Sequence, residues 1–194
     1  MKKLLVIMLV LVMGLVVVGC GNDNGAAQGI GPGPGNGLGS HIGEDEIVFI
    51  VALGYVCNQY VETGTYDGHP LVFFPNQMMF ARDGDQYFTL LDYRLRNTPE
   101  GVHRAGTIID DRVQFNSVTV RGGTAYVDIV GDGLHGSSLE ESLLISQIVS
   151  SLVVSFEEIE RVQFLVDGEV AETLMGHIDV SEPFERGIYV TGLE

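Results

Sequence analysis

Ile47 to Val56 is a run of β-branched and aromatic positions that predicts a first strand, mostly buried on both faces. Turn chemistry follows from Glu62 to Pro70, with Gly64, Asp67-Gly68 and His69-Pro70. Leu71 to Met79 then predicts a short edge strand, interrupted by Pro75 because proline has no N–H for a ladder. Asp83 or Asp85 is placed to cap a helix whose large groups, Tyr87, Phe88, Leu90, Leu91 and Leu95, form one broad stripe. Thr98-Pro99-Glu100-Gly101 stops it. Val113 to Val120 and Thr124 to Val130 flank Arg121-Gly122-Gly123, a hairpin signature with glycine where positive φ is needed. Val118 and Val120 alternate with Thr119, while Tyr126 and Ile129 sit among small or acidic neighbours, so one hairpin face should be buried. Ser138 and Glu141 have the spacing of a capping box, and Leu139, Leu143, Leu144, Ile148, Leu152 and Val153 recur at helical spacing up to about Ser155. Arg161 to Val166 and Glu169 to Leu174, joined by Asp167-Gly168, predict a second hairpin. The order strand, helix, hairpin, helix, hairpin implies an α+β domain with two helices packed on one face of a largely antiparallel sheet.

The hydrophobic pattern changes character upstream of that domain. Lys2 and Lys3 precede an apolar run, Leu4 to Val18, broken by Gly14. This has the layout of a secretory signal peptide and falls short of the roughly 18 uninterrupted apolar residues of a membrane span. Val17-Val18-Gly19-Cys20 resembles the bacterial lipobox, which implies cleavage after residue 19 and lipidation of Cys20. Residues 20–45 are then expected to be the lipidated cysteine and a Gly/Pro-rich flexible tether with a reach of about 25 Å. Residues 46–190 remain for a single domain, enough for one core. The expected location is the extracytoplasmic face of a cell membrane, with the membrane itself as a partner through Cys20.

Charge narrows the partners. The chain carries 10 basic and 26 acidic residues, net −16. Removing residues 1–19 removes both lysines, leaving eight arginines against the same 26 acidic groups and a net charge of −18. Such a surface repels nucleic acid and anionic headgroups, so no nucleic-acid partner is expected and copies of the chain repel each other at low salt. With Cys20 acylated, Cys57 has no thiol partner, and its apolar surroundings predict a buried, inert side chain.

The stretches Val118-Thr119-Val120-Arg121-Gly122-Gly123-Thr124-Ala125-Tyr126-Val127-Asp128, Glu141 to Leu152, Val162 to Glu169 and Gly176 to Phe184 together resemble the GerMN domain. The resemblance is strongest over about 115–186 and looser from 47 to 112, where Gly54 to His69 departs from the family's short connection. It implies a fold similar to ring-building modules of secretion and sporulation channels, and a setting in sporulation, germination or envelope assembly. One copy is present where GerM itself has two.

Catalytic chemistry finds little footing. His41, His69, His103, His135 and His177 lack metal-ligand spacing, and Asp83-Gly84-Asp85 and Asp110-Asp111 lack the later ligands of a calcium loop. No phosphate loop or nucleophile elbow occurs. Ser146, Ser150, Ser151 and Ser155 read as a polar or close-packing strip on the second helix rather than as nucleophiles. Asp179 and Ser181 are expected to bond their own backbone in a tight turn, with Phe184 closing the core behind Pro183. No catalytic residue, metal or cofactor is therefore expected, and the protein reads as a non-catalytic module for an extracytoplasmic protein partner or for the envelope, with self-association open to it. A wall-acting hydrolase or carbohydrate-binding lipoprotein is the alternative.

Overall fold

The computed structural model describes residues 46–63, 70–81, 84–98 and 104–185. The signal peptide, Cys20, the tether, His41, His69, Asp83 and His103 lie outside the described residues.

The elements are β1 (Glu46–Cys57), α1 (Asn58–Thr63), β2 (Leu71–Ala81), α2 (Gln86–Phe88, continuing as a π-helix over Thr89–Arg94), β3 (Ala105–Gly106), β4 (Phe115–Arg121), β5 (Thr124–Ile129), α3 (Ser138–Ser155), β6 (Arg161–Val166), β7 (Glu169–Val170) and β8 (Phe184–Glu185). The α+β class is as expected, but the strands divide between two sheets. One has the order β2-β1-β3; the other runs β4-β5-β6-β7, with β8 also on β6. Most pairs are antiparallel, whereas β5 and β6 are parallel, with α3 as the crossover between them. A parallel pair needs such a crossover, because a tight turn reverses direction.

β2 is an edge strand, yet it is not interrupted at Pro75. The β1–β2 register continues from Glu46↔Ala81 to Val56↔Leu71, with Pro75 opposite Ala52. The Ala52 N–H turns the other way, donating to Ser155 Oγ at 3.0 Å. Pro75 therefore occupies a position where the missing donor would have pointed off the sheet, the one place in a ladder where proline costs nothing.

The far edge of β1 is capped by a helix. Gln147, Ser151 and Ser155 of α3 are spaced four apart, hence on one face, and that face lies along β1. The Gly54 N–H donates to Ser151 Oγ at 3.0 Å, Gln147 Nε2 donates to the Gly54 carbonyl at 2.9 Å, and Ser155 Oγ bonds the Ala52 carbonyl at 3.3 Å. The serine strip thus does the hydrogen bonding of a missing neighbour strand. Such close approach requires Gly54, where a Cβ would lie 3.1 Å from both Ser151 Oγ and Phe73 Cε1.

Because its polar face is covered by β1, α3 is buried nearly all round rather than along a stripe. Its apolar side carries Leu144, Ile148 and Leu152 into one core cluster with Val118, Val127 and Phe164, as the periodicity implied. Leu139 is exposed and takes no part in that core. On β5 the inward set is Ala125, Val127 and Ile129, while Tyr126 turns to the opposite face; residues three apart in a strand cannot share a face. The hairpin turn is Gly122-Gly123, with φ of 56° and 77°. Asp167 and Gly168, at 51° and 85°, form the second two-residue turn.

In α2 the expected regular helix widens. Asp85 is the cap, its Oδ1 accepting from the Phe88 N–H at 2.8 Å. The Leu95 N–H reaches the Leu90 carbonyl, a five-residue span at 3.0 Å. The wide turn brings Leu95 to the core alongside Leu90 and Leu91.

Candidate functional site: a surface, a buried carboxylate and a polar pocket

Three places combine chemistry with an unusual environment. The first is the outer face of the β1–β2 sheet. Side chains alternate, so Phe49, Val51, Leu53 and Tyr55 face the core while Val48, Ile50, Ala52 and Gly54 face outward. At the Val56 end this outer face is covered, with Val56, Leu71 and Leu143 forming a second small core. At the other end it is open. Ile50 is 77% exposed, and Met79, paired with Val48, is 56% exposed, with exposed Pro75 and Gln77 between and beside them on β2. A β-branched side chain in mid-strand and a thioether beside it lose apolar burial that an ordinary sheet face would give them.

The second place is Glu141, where the structure corrects the sequence reading. The capping box is Ser137 with Glu140, one residue earlier than Ser138 with Glu141: Ser137 Oγ accepts from the Glu140 N–H and Glu140 Oε2 accepts from the Ser137 N–H at 2.8 Å. Hydrogen bonds from Ser137 and Arg112 hold the Glu140 carboxyl down at about 2. Glu141 is freed for another task and is fully buried. Its Oε1 accepts from the N–H groups of Leu174 and Met175 at 2.9 and 2.8 Å, and its Oε2 from the His177 N–H at 2.8 Å, with His177 Nδ1 3.1 Å away. Burial pushes this carboxyl upward, but the hydrogen bonds from Met175, His177 and Leu174 and the His177 ring outweigh it and lower it overall. The return strand expected over Glu169 to Leu174 is shorter, β7 ending at Val170, and by Leu174 the backbone N–H is already given to Glu141.

The third place is a pocket of about 330 Å³ between β1–β2 and the end of α2. Its floor includes Tyr55, whose hydroxyl donates to the carbonyls of Arg94 and Asn97 at 3.0 and 2.9 Å. Burial pushes the Tyr55 phenol up to about 12, the nearby Arg94 charge acting in the opposite sense. Leu53, Asn76, Tyr93, Arg94, Asn97 and Thr98 complete the lining.

The other singled-out residues have structural duties. Cys57 is buried and free at the end of β1. Asp110 pairs with Arg112 at 2.8 Å, and Arg112 also reaches Glu140 at 3.0 Å. His135 is exposed, its Nδ1 2.6 Å from the Gly133 carbonyl oxygen. Asp179 Oδ1 accepts from the Ser181 N–H and hydroxyl at 2.9 and 2.6 Å, the tight turn expected there. Phe184 packs edge-on against Phe164 with ring centroids 5.7 Å apart. Among the described residues no three His, Cys, Asp or Glu side chains converge as metal ligands, and no helix is long and apolar enough to cross a membrane.

Residues 72–172 match the family model Germane, described as sporulation and spore germination. No curated protein matches the chain in sequence. Among solved structures, the first GerMN domain of the sporulation protein GerM from Bacillus subtilis aligns with a TM-score of 0.53 at 13% identity, covering 71% of this chain and 98% of that one. The tandem GerMN domains of the same protein give 0.53 and 13% over 72% of this chain and 47% of theirs. A chain from Clostridium perfringens, provisionally described as a lipoprotein, aligns at 0.47 and 17%, covering 73% and 89%.

Proposed function

The chain belongs to the Germane family of sporulation and spore germination, and from that premise we propose that it is a non-catalytic, lipid-anchored module that docks a second protein on the outer side of the membrane. The observation that carries the docking is the open outer face of β1–β2 around Ile50 and Met79. A few apolar side chains at the centre of a larger polar contact are the usual source of binding energy in an interface of roughly 800 Å² per partner. The occupant is a different protein with an apolar centre and a basic, arginine-bearing rim. Charge supports this: without residues 1–19 the chain carries a net −18, which repels its own copies and anionic headgroups and attracts a cationic surface. Pro75 and the helix-capped side of β1 favour contact through the face of the sheet over added strands at its edges.

The double variant Ile50→Thr, Met79→Thr keeps residues suited to a strand while removing the apolar surface. It should leave stability within about 0.5 kcal/mol, since both side chains are exposed. Co-purification of the partner after mild crosslinking of membranes should fall sharply, and for the parent protein it should weaken with added salt. A partner retained by the double variant refutes the face; hydrolysis of peptidoglycan by the protein, lost on replacing one carboxylate, refutes the non-catalytic reading.

The anchor is tested separately. Val17-Val18-Gly19-Cys20 supports lipidation of Cys20, so Cys20→Ser should release the protein from membranes and abolish uptake of a fatty-acid analogue. A membrane-bound parent protein that takes up no label would mean a different attachment.

A further inference from the structure

We infer that the pocket between β1–β2 and the end of α2 is a binding site for a small carboxylate-bearing sugar, with Arg94 as the group that recognises the acid. The inference goes beyond the protein-docking role and uses a different part of the molecule: Asn76 faces the core side of the β1–β2 sheet, opposite the Ile50 and Met79 surface.

The case starts from what the arginines do. Arg96 is fully engaged: its Nε donates to the Asp92 carbonyl at 3.0 Å, and its terminal nitrogens bond the Asp92 carboxylate and the carbonyls of Asp110 and Val113 at 2.6 to 2.7 Å. Arg112 is likewise held by Asp110, Glu140 and the His135 carbonyl. Arg94, two residues from Arg96, makes no side-chain hydrogen bond and no ion pair among the described residues; its Nε is buried without an acceptor, as is that of Arg161, but only Arg94 of the two lines the pocket. In a chain with 26 acidic side chains, a partly buried guanidinium left without a carboxylate is an unusual expense. The Nε itself is closed to solvent, so a ligand acid meets the two terminal nitrogens, which have no hydrogen-bond acceptor among the described residues and match a carboxylate in two parallel bonds.

The remaining lining describes the rest of the ligand. The side chains of Asn76 and Thr98 make no hydrogen bond among the described residues, so an amide and a hydroxyl are free for groups that both donate and accept, as sugar hydroxyls do. Tyr93 is 65% exposed, with the Arg94 guanidinium 5.6 Å from its ring centroid, so an aromatic face stands beside the cation. A volume of about 330 Å³ is at the small end of ligand pockets, which suits one sugar ring. Tyr55 fixes the frame from below by tying both the Arg94 and Asn97 carbonyls.

The test is saturation-transfer NMR and titration calorimetry on the full chain in detergent, with glucuronate, glucose and acetate as probes. Glucuronate should bind, glucose and acetate each at least about tenfold more weakly, because each lacks one half of the recognised chemistry. Arg94→Met keeps an apolar stem of similar reach, removes the unsatisfied Nε, and should leave the melting temperature unchanged or higher while abolishing glucuronate binding. A purely structural Arg94 would instead lower it. Arg94→Lys, which keeps the charge but not the fork, should weaken glucuronate at least several-fold and leave glucose unchanged. Equal binding of glucuronate and glucose overturns the acid recognition. Equal binding of glucuronate and acetate overturns the sugar, and glucuronate binding retained by Arg94→Met or unchanged in Arg94→Lys overturns the site.

Discussion

Replacing Glu141 by Leu lowers the stability of the domain by about 3–5 kcal/mol, and replacing it by Gln lowers it by about 1–3 kcal/mol, measured by urea unfolding at neutral pH. The leucine removes the acceptor for three backbone donors, Leu174, Met175 and His177, in a place without solvent access to the side chain. Each buried donor left unmade costs on the order of 1–3 kcal/mol, and breaking a buried charged cluster costs about 3–5 kcal/mol in all. Glutamine keeps one oxygen, enough for two donors, but presents an NH₂ to the third. The loss should be local as well as global, with amide hydrogen exchange accelerating at Leu174, Met175 and His177. Unchanged unfolding together with unchanged protection of those amides would mean that the segment is held by something other than the carboxylate.

The same group sets an acid limit. Its carboxyl is lowered in the folded protein relative to the ordinary 4.5, so the unfolded chain takes up the proton first. Its contribution is therefore fully present above about pH 5 and is lost as pH falls through 4.5 and down through the lowered folded value. Glu140, down at about 2, adds an exposed and therefore screened contribution in the same direction. In Glu141→Leu the decline in stability between about pH 5 and 3 should be shallower than in the parent protein.

Ile148→Ala should cost about 2–5 kcal/mol, a value set by how little the site can collapse. Ile148 is fully buried on α3, in one cluster with Leu144 and Leu152 from the same helix and with Val127 and Phe164 from the parallel pair that α3 joins. On the adjoining side its helix is held by β1, to which Gln147, Ser151 and Ser155 are bonded, so it cannot tilt to fill the space without breaking those bonds. For a domain of this size the loss corresponds to a fall of very roughly 5–15 °C in melting temperature. A midpoint unmoved by this substitution would mean that α3 turns another face to the core.

The sequence alone carried the elements whose cause is local. A β-branched and aromatic run placed β1, alternation placed β4 and β5, and the run before Asp167-Gly168 placed β6; glycines at Gly122, Gly123 and Gly168 placed both tight turns; helical spacing placed α3 and its core face; and Asp179 with Ser181 placed the turn near the end. The α+β class and the likeness to GerMN domains followed from those same stretches. What tertiary structure decided is the fate of polar groups whose partners are far away in the chain. Two serines, Ser137 and Ser138, precede two glutamates, so both capping registers fit the sequence; the choice fell to the backbone donors of 174–177, more than 30 residues on, which draw Glu141 inside. The serine strip on α3 read only as polar or close-packing; what it packs against, the bare edge of β1 about a hundred residues earlier, is visible only in the fold. Pro75 is harmless because Ala52 points its N–H to Ser155, and Arg94 differs from Arg96 because four acceptors surround Arg96 and, among the described residues, none bonds Arg94. Local pattern fixes where the chain turns and which side is apolar; a hydrogen bond between distant residues depends on distance and direction in three dimensions, which no spacing along the chain encodes.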